Sequence, residues 1–173
     1  MNERVVEVRV SEWEYGCCLP PPVIGDESSW HLTFVPGLEP ASEHLWTVVH
    51  DGPRTSPLVR LDGGSGLLAR WYSESVTPPA PGIHTLRGGL YATAHAGAGL
   101  EDAYEVTGRI RRIRVVSEEM RRERGRHGDH LAPVPGSMEL TDVGEGPELF
   151  ASTTGPGRAE TGLLLDLQLS QRA

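Results

Sequence analysis

Valine stands at every second position across Val6, Val8 and Val10, with Glu7, Arg9 and Ser11 between them. Successive strand side chains point to opposite faces, so this run offers one apolar face to a core and one polar face to solvent. The alternation predicts a strand over residues 4–15 that shifts or bulges towards Trp13 and Tyr15. Gly16 and Pro20-Pro21-Pro22 end it, because proline lacks the ladder donor and fixes its backbone angle. The signature returns after a Gly25-Asp26 turn, where Trp30, Leu32 and Phe34 alternate against Ser29, His31 and Thr33.

Near the other end, "GSMELTDV" and "TGLLLDLQL" read as two more strands. In "VTGRIRRIRVV", Ile110 shares its face with Arg112 and Arg114, whereas Ile113 and Val115 fall on the other, which predicts a bulge between them. "SEEMRRERGRHGDH" fits a short helix or a solvated hairpin loop, with Met120 as its one large apolar side chain. Residues 36–105 are less regular. There "PASEHLWTVV" suggests a helical turn running into a strand, and "SPLVRLD" and "GLLARWYSESV" suggest short strands broken by "GGSG". With 21 glycines, 14 prolines and no long apolar helical stripe, the chain is expected to be mainly β, with roughly 7 to 9 short strands. The expected architecture is a single antiparallel β-barrel or β-roll with long irregular loops and little helix, one domain spanning residues 1–173. Its strands 4–15 and 162–169 should both lie in the core sheet.

The chain carries 24 acidic against 16 basic residues, a formal charge of -8 that disfavours nucleic acid overall. Every basic residue is arginine. Without lysine there is no pyridoxal Schiff base, no Walker-type phosphate loop and no Ser-Lys pair. Asn2 is the single asparagine, so a Cys-His-Asn triad is excluded too. No apolar run reaches the roughly 18 residues of a membrane span, and "MNERVVEVRV" lacks a signal peptide's basic-then-apolar order. These features lead to the expectation of a soluble cytoplasmic protein with reduced thiols and no membrane partner.

Several segments together resemble one family. They are "VRVSEWEYGCCLPPPVIGDESSWHL", "VTGRIRRIRVVSEEM", "PVPGSMELTDVGEGPELF" and "TGLLLDLQL". The chain resembles an actinobacterial family of small proteins built on the domain of unknown function DUF6578. That family's pattern runs tryptophan, a double cysteine, a glycine-proline pair, then Val-Gly-Asp-Glu-Val and tryptophan. Trp13, Cys17, Cys18, Gly25, Asp26, Glu27 and Trp30 match it, while Leu19 stands at the first glycine and Ser28 at the second valine. The resemblance implies a bacterial, cytoplasmic protein and supplies no catalytic residues.

Cys17 and Cys18 would point to opposite faces of a continuing strand, so one metal could not take both without a turn. The reading that follows is of two reduced thiols, at least one buried against Trp13 or Trp30 and neither a nucleophile, since Glu14 and Asp26 nearby would suppress a thiolate. The competing reading is a metal set of Cys17 and Cys18 completed by His84 and His95. Those histidines bracket "TLRGGLYATA", a candidate hairpin about Gly88-Gly89 that would bring them together near Tyr91. Zinc is the metal such a set would hold, although no cofactor is expected on the first reading. His127 and His130 are a weaker pair on a glycine-containing turn. Asp26 reads as a turn residue, and His31 as lying opposite the aromatics.

Eight arginines fall between Arg109 and Arg126, a locally basic stretch in an acidic chain. Arg112, Arg114, Arg121, Arg122 and Arg124, with Trp13 and Trp30 as anchors, suggest a binding surface for a protein partner, while the two tryptophans on neighbouring strands equally fit a core that closes one end of a barrel. Nucleic acid is a weaker expectation, because the stretch has no interspersed aromatics for base stacking. Two classes follow. The first is a binding or accessory module; the second is a small metal- or thiol-dependent enzyme that needs a cysteine facing a cavity lined by one of those histidines.

Overall fold

The alternating segments at the two ends of the chain lie side by side. In the computed structural model, which describes residues 4–52, 58–95 and 105–170, strand β1 (Val5–Ser11) runs antiparallel to β10 (Gly157–Leu169), with Val5 opposite Gln168 and Ser11 opposite Gly162. Val6, Val8 and Val10 enter the core together with Leu163, Leu165 and Leu167. Each apolar side chain removed from water contributes about 1.5–3 kcal/mol, so this pairing is a main source of stability.

The other edge of β10 pairs with β7 (Glu105–Gly125), a strand of 21 residues. Leu167 faces Ile110 but Asp166 faces Arg112, leaving Arg111 as an extra residue. This is the bulge that the broken alternation predicts, and it turns both Ile110 and Ile113 into the core. The charged run beyond it is not a helix but the hairpin alternative, formed by paired strands. It extends β7 into a hairpin with β8 (Gly128–Pro133), where Gly125 faces Gly128 across a two-residue turn. β9 (Glu139–Val143) pairs with β7 as well.

The less regular middle resolves into β3 (Ser42–Asp51), β4 (Leu58–Gly64), β5 (Leu67–Trp71) and β6 (Gly82–Thr93). The expected hairpin about Gly88-Gly89 is corrected: both glycines lie inside the single strand β6, which pairs with β3 and then with β2 (Glu27–Pro36). A Cβ on Gly88 would stand 2.5 Å from the Val35 carbonyl oxygen and 2.6 Å from Phe34 Cζ. Glycine serves here to let another backbone approach, not to turn the chain.

The sheet is mixed, which corrects the expected antiparallel barrel. β1 touches β6 in parallel at Arg9 and Tyr91, and β2 pairs in parallel with β5 at Thr33 and Phe34. Two closed circuits of pairing result, β7-β10-β1-β6-β2 and β6-β3-β4-β5-β2, sharing the β2–β6 ladder. Phe34 sits at this shared seam, 5.8 Å from the Trp46 ring and 5.6 Å from the Trp71 ring. No helix among the described residues is long and apolar enough to cross a membrane.

The predicted first strand also ends early. Ser11 takes the extended conformation of an N-cap residue, and helix α1 (Glu12–Cys17) follows with Glu12 and Glu14 in its first turn, where carboxylates complement the helix dipole. Residues two apart share a face in a strand but stand roughly 200° apart around a helix. Tyr15 therefore turns inward onto Trp30, with ring centroids 6.1 Å apart, while Trp13 turns outward.

Candidate functional site

Helix α1 is tied down through Glu14, a carboxylate only 4% exposed. It accepts hydrogen bonds from the Thr93 hydroxyl at 2.5 Å and the Ala94 backbone N–H at 3.3 Å, just where the chain leaves β6. The next turn of the helix holds Cys17, and the Cys18 N–H donates to the Glu14 carbonyl at 3.2 Å. His95 comes one residue after Ala94 and donates its backbone N–H to Thr93 Oγ1 at 3.1 Å. One buried carboxylate thus sets the helix end against the strand exit.

Cys17 and Cys18 are joined as a disulfide, contrary to the expectation of reduced thiols. Both are exposed rather than buried, because the chain bends at the end of a helix here instead of running on as a strand. One ligand atom from each of Cys17, Cys18 and His95 lies within 4.8 Å of the others. The Trp13 ring meets the His95 ring edge-on with centroids 6.0 Å apart. His84 takes no part. It sits near the start of β6 with Nε2 2.8 Å from the Ala80 carbonyl oxygen, and an extended strand carries it on the order of 30 Å away from His95. His127 occupies the β7–β8 turn and His130 faces Glu123, so neither belongs to the group.

Beside α1 opens a cleft of about 450 Å³. Trp13, Leu149, Phe150, Met120 of β7 and Leu131 of β8 give it apolar lining, while Glu12, Glu148 and Glu160 also line it. Trp13 is 59% exposed and Leu149 86% exposed. Trp30, the second tryptophan expected at a surface, is 2% exposed and belongs to the core beneath Tyr15. Burial first and the Glu14 charge second push the Tyr15 hydroxyl well above its ordinary pKa, so it stays protonated. Nothing in the sequence singles out Leu149 or Phe150 beyond their standing together in a glycine- and proline-rich segment.

The arginine stretch is neutralised in part within the molecule. Arg112 holds Asp142 through two bonds of 2.5 and 2.8 Å. Arg114 is buried, contrary to its expected place on a binding surface, and bonds Glu7 at 2.7 Å and Asp166. It lies between the inward-facing Ile113 and Val115, so it points to the opposite face, where the Glu7 and Asp166 carboxylates hold it. Arg121 pairs with Glu123 at 2.6 Å, while Arg122 and Arg124 project from the exposed hairpin. These pairings take Arg112, Arg114 and Arg121 out of the basic band that the sequence suggests and leave Arg122 and Arg124 exposed on the hairpin.

A mixed β-sheet with a short helix, an apolar cleft and an adjacent Cys-Cys-His group defines the class of fold and site. The chain belongs to the family of unknown function DUF6578, whose pattern matches residues 4–169. An 83-residue stretch is 35% identical to part of the methionyl-tRNA formyltransferase of Methylobacterium nodulans, covering 46% of this chain and 26% of that protein. No solved structure is significantly similar to the chain.

Proposed function

We propose that the protein is a binding module whose cleft beside α1 takes an apolar, arginine- or lysine-bearing segment of a partner protein. One observation carries this reading: two exposed large apolar side chains, Trp13 and Leu149, line the same concavity. Single exposed apolar residues are ordinary, but apolar side chains converging on a cleft with a polar rim are the anatomy of an interface. The carboxylates of Glu12, Glu148 and Glu160 at its walls favour a basic occupant over an acidic one.

A displayed peptide library panned against the folded protein tests this. Enriched peptides should combine apolar anchors with basic residues, and Trp13→Ala should weaken them by about 30-fold, as loss of an interface anchor does. Leu149→Ser should weaken them as well. Peptides that bind Trp13→Ala as well as the parent, or no enrichment at all, would refute the cleft as the docking site.

The second reading, a small metal- or thiol-dependent enzyme, draws support from the Cys17, Cys18 and His95 group. It ranks behind because these three residues do not line the cleft and are exposed to solvent, whereas covalent or metal catalysis works best in a shielded, water-excluded site.

A further inference from the structure

We infer that Cys17, Cys18 and His95 form a redox-gated binding site for one thiophilic divalent cation, closed as the disulfide and opened by reduction. This site is separate from the docking cleft and stands or falls without it. In the closed state the two sulfur atoms are bonded to each other, and neither is the thiolate that binds metal. Reduction by a dithiol transfers two electrons and two protons to the protein: the S–S bond breaks, two thiols form, and the reductant leaves as its own disulfide. Both sulfurs are exposed, so a reductant reaches them. A cation then displaces the two thiol protons and gains two thiolates and an imidazole nitrogen.

The distances suit this exchange. Zinc bonds of about 2.3 Å to sulfur and 2.0 Å to nitrogen hold neighbouring donors about 3.5–4 Å apart. The three donors already lie within 4.8 Å of one another, so the main movement required is the parting of the sulfurs. The turn at the helix end removes the obstacle that an extended strand would pose, since both thiols point to the same place. The third ligand is held in advance, because Glu14 fixes the strand exit that carries His95 to the helix that carries the cysteines. Thiolate and imidazole donors select zinc-like cations over magnesium or calcium, which prefer oxygen. Three protein ligands leave a fourth position to water.

The test uses the full chain with Zn2+ as probe and Mg2+ as control. Protein as isolated should show no free thiol to a maleimide and bind no zinc. After reduction with a phosphine and removal of the reductant under argon, it should show two thiols and bind one equivalent of zinc in competition with a chromophoric chelator. Cys17→Ser and Cys18→Ser should each abolish binding. His95→Ala should weaken it at least tenfold, while His84→Ala should leave it unchanged. Co2+ in place of zinc should give the thiolate-to-metal absorption of the reduced protein only. Circular dichroism of each variant separates loss of a ligand from loss of the fold, and Cys17→Ala with Cys18→Ala gives a folded, thiol-free baseline. Zinc bound equally by the oxidised protein, zinc bound equally by His95→Ala, or no zinc on the folded reduced protein would each overturn the site.

Discussion

Arg9 of β1 and Glu118 of β7 form an ion pair across the intervening strand β10, with both side chains buried. The Thr161 hydroxyl of β10 donates to the same carboxylate at 2.6 Å and lies 3.2 Å from Arg9 Nη2, while Arg9 Nη1 reaches the Glu39 carbonyl oxygen at 3.3 Å. The register of β10 against β7 shifts between Glu160 and Gly162, which leaves Thr161 as the extra residue at this place. A bulge thus positions the hydroxyl that completes a buried polar network, and each charge retains partners that offset part of its desolvation.

Removing one partner should therefore cost much more than removing a surface ion pair. Arg9→Met or Glu118→Leu alone is expected to lower stability by about 3–5 kcal/mol, because a buried charge is left unpaired. The double substitution should recover much of that loss. Urea denaturation of the two single variants and the double variant measures the coupling directly. Single variants costing no more than about 1 kcal/mol, as exposed pairs do, would show that water reaches the network.

Gly162 supplies a second prediction from the same corner. Its backbone has φ of +147°, and a Cβ there would stand 2.1 Å from the Val10 carbonyl oxygen on the paired strand. Gly162→Ala should destabilise by about 1–3 kcal/mol or more, since strain and close backbone contact both oppose the methyl group. Gly144→Ala meets no atom within 4 Å and should fall within about 0.5 kcal/mol of the parent. Thermal melts of the two variants side by side provide the comparison, and equal melting temperatures would show that β1 and β10 part easily at this point.

The legible parts of the fold are those where one strand face is dry and the other wet. Val6, Val8 and Val10 alternate with polar neighbours, and so do Trp30, Leu32 and Phe34, so local sequence alone indicates strands there. Helix α1 was not legible because Trp13 and Tyr15, two residues apart, also satisfy a strand; only the tie between Glu14 and the end of β6 distinguishes the readings. Gly88-Gly89 misleads for another reason. A glycine that permits a turn and a glycine that admits a neighbouring backbone look alike in sequence, and the second role is visible only once Val35 and Phe34 are in place. At the candidate metal site the same ambiguity joins His84 to the group through a hairpin that does not form. Cys17, Cys18 and His95 do converge, through a long-range contact that no spacing rule encodes. Leu149 and Phe150 become meaningful only beside Trp13, Met120 and Leu131, which come from distant parts of the chain.

A third prediction concerns acid sensitivity at the other end of the sheet. His44 of β3 is partly buried, with Nε2 2.7 Å from the Ser42 hydroxyl and its ring edge-on to Trp46 at 6.0 Å. Burial lowers its pKa from the ordinary 6.5, the nearby Arg4 charge lowers it further, and Glu7 offsets part of the effect. In the unfolded chain the imidazole keeps its ordinary affinity for a proton, so below about pH 6.5 the unfolded state binds more protons at this position. Stability contributed by neutral His44 is thus fully present above pH 6.5 and is lost as the pH falls towards the lowered folded value. Urea midpoints measured from neutral to mildly acidic pH should decline through that window. His44→Gln, which keeps a polar group beside Ser42 without titrating, should flatten the decline. An identical pH profile in the variant would mean that His44 is protonated as readily in the folded protein as in water, and that the Trp46 and Arg4 surroundings do not disfavour its charge.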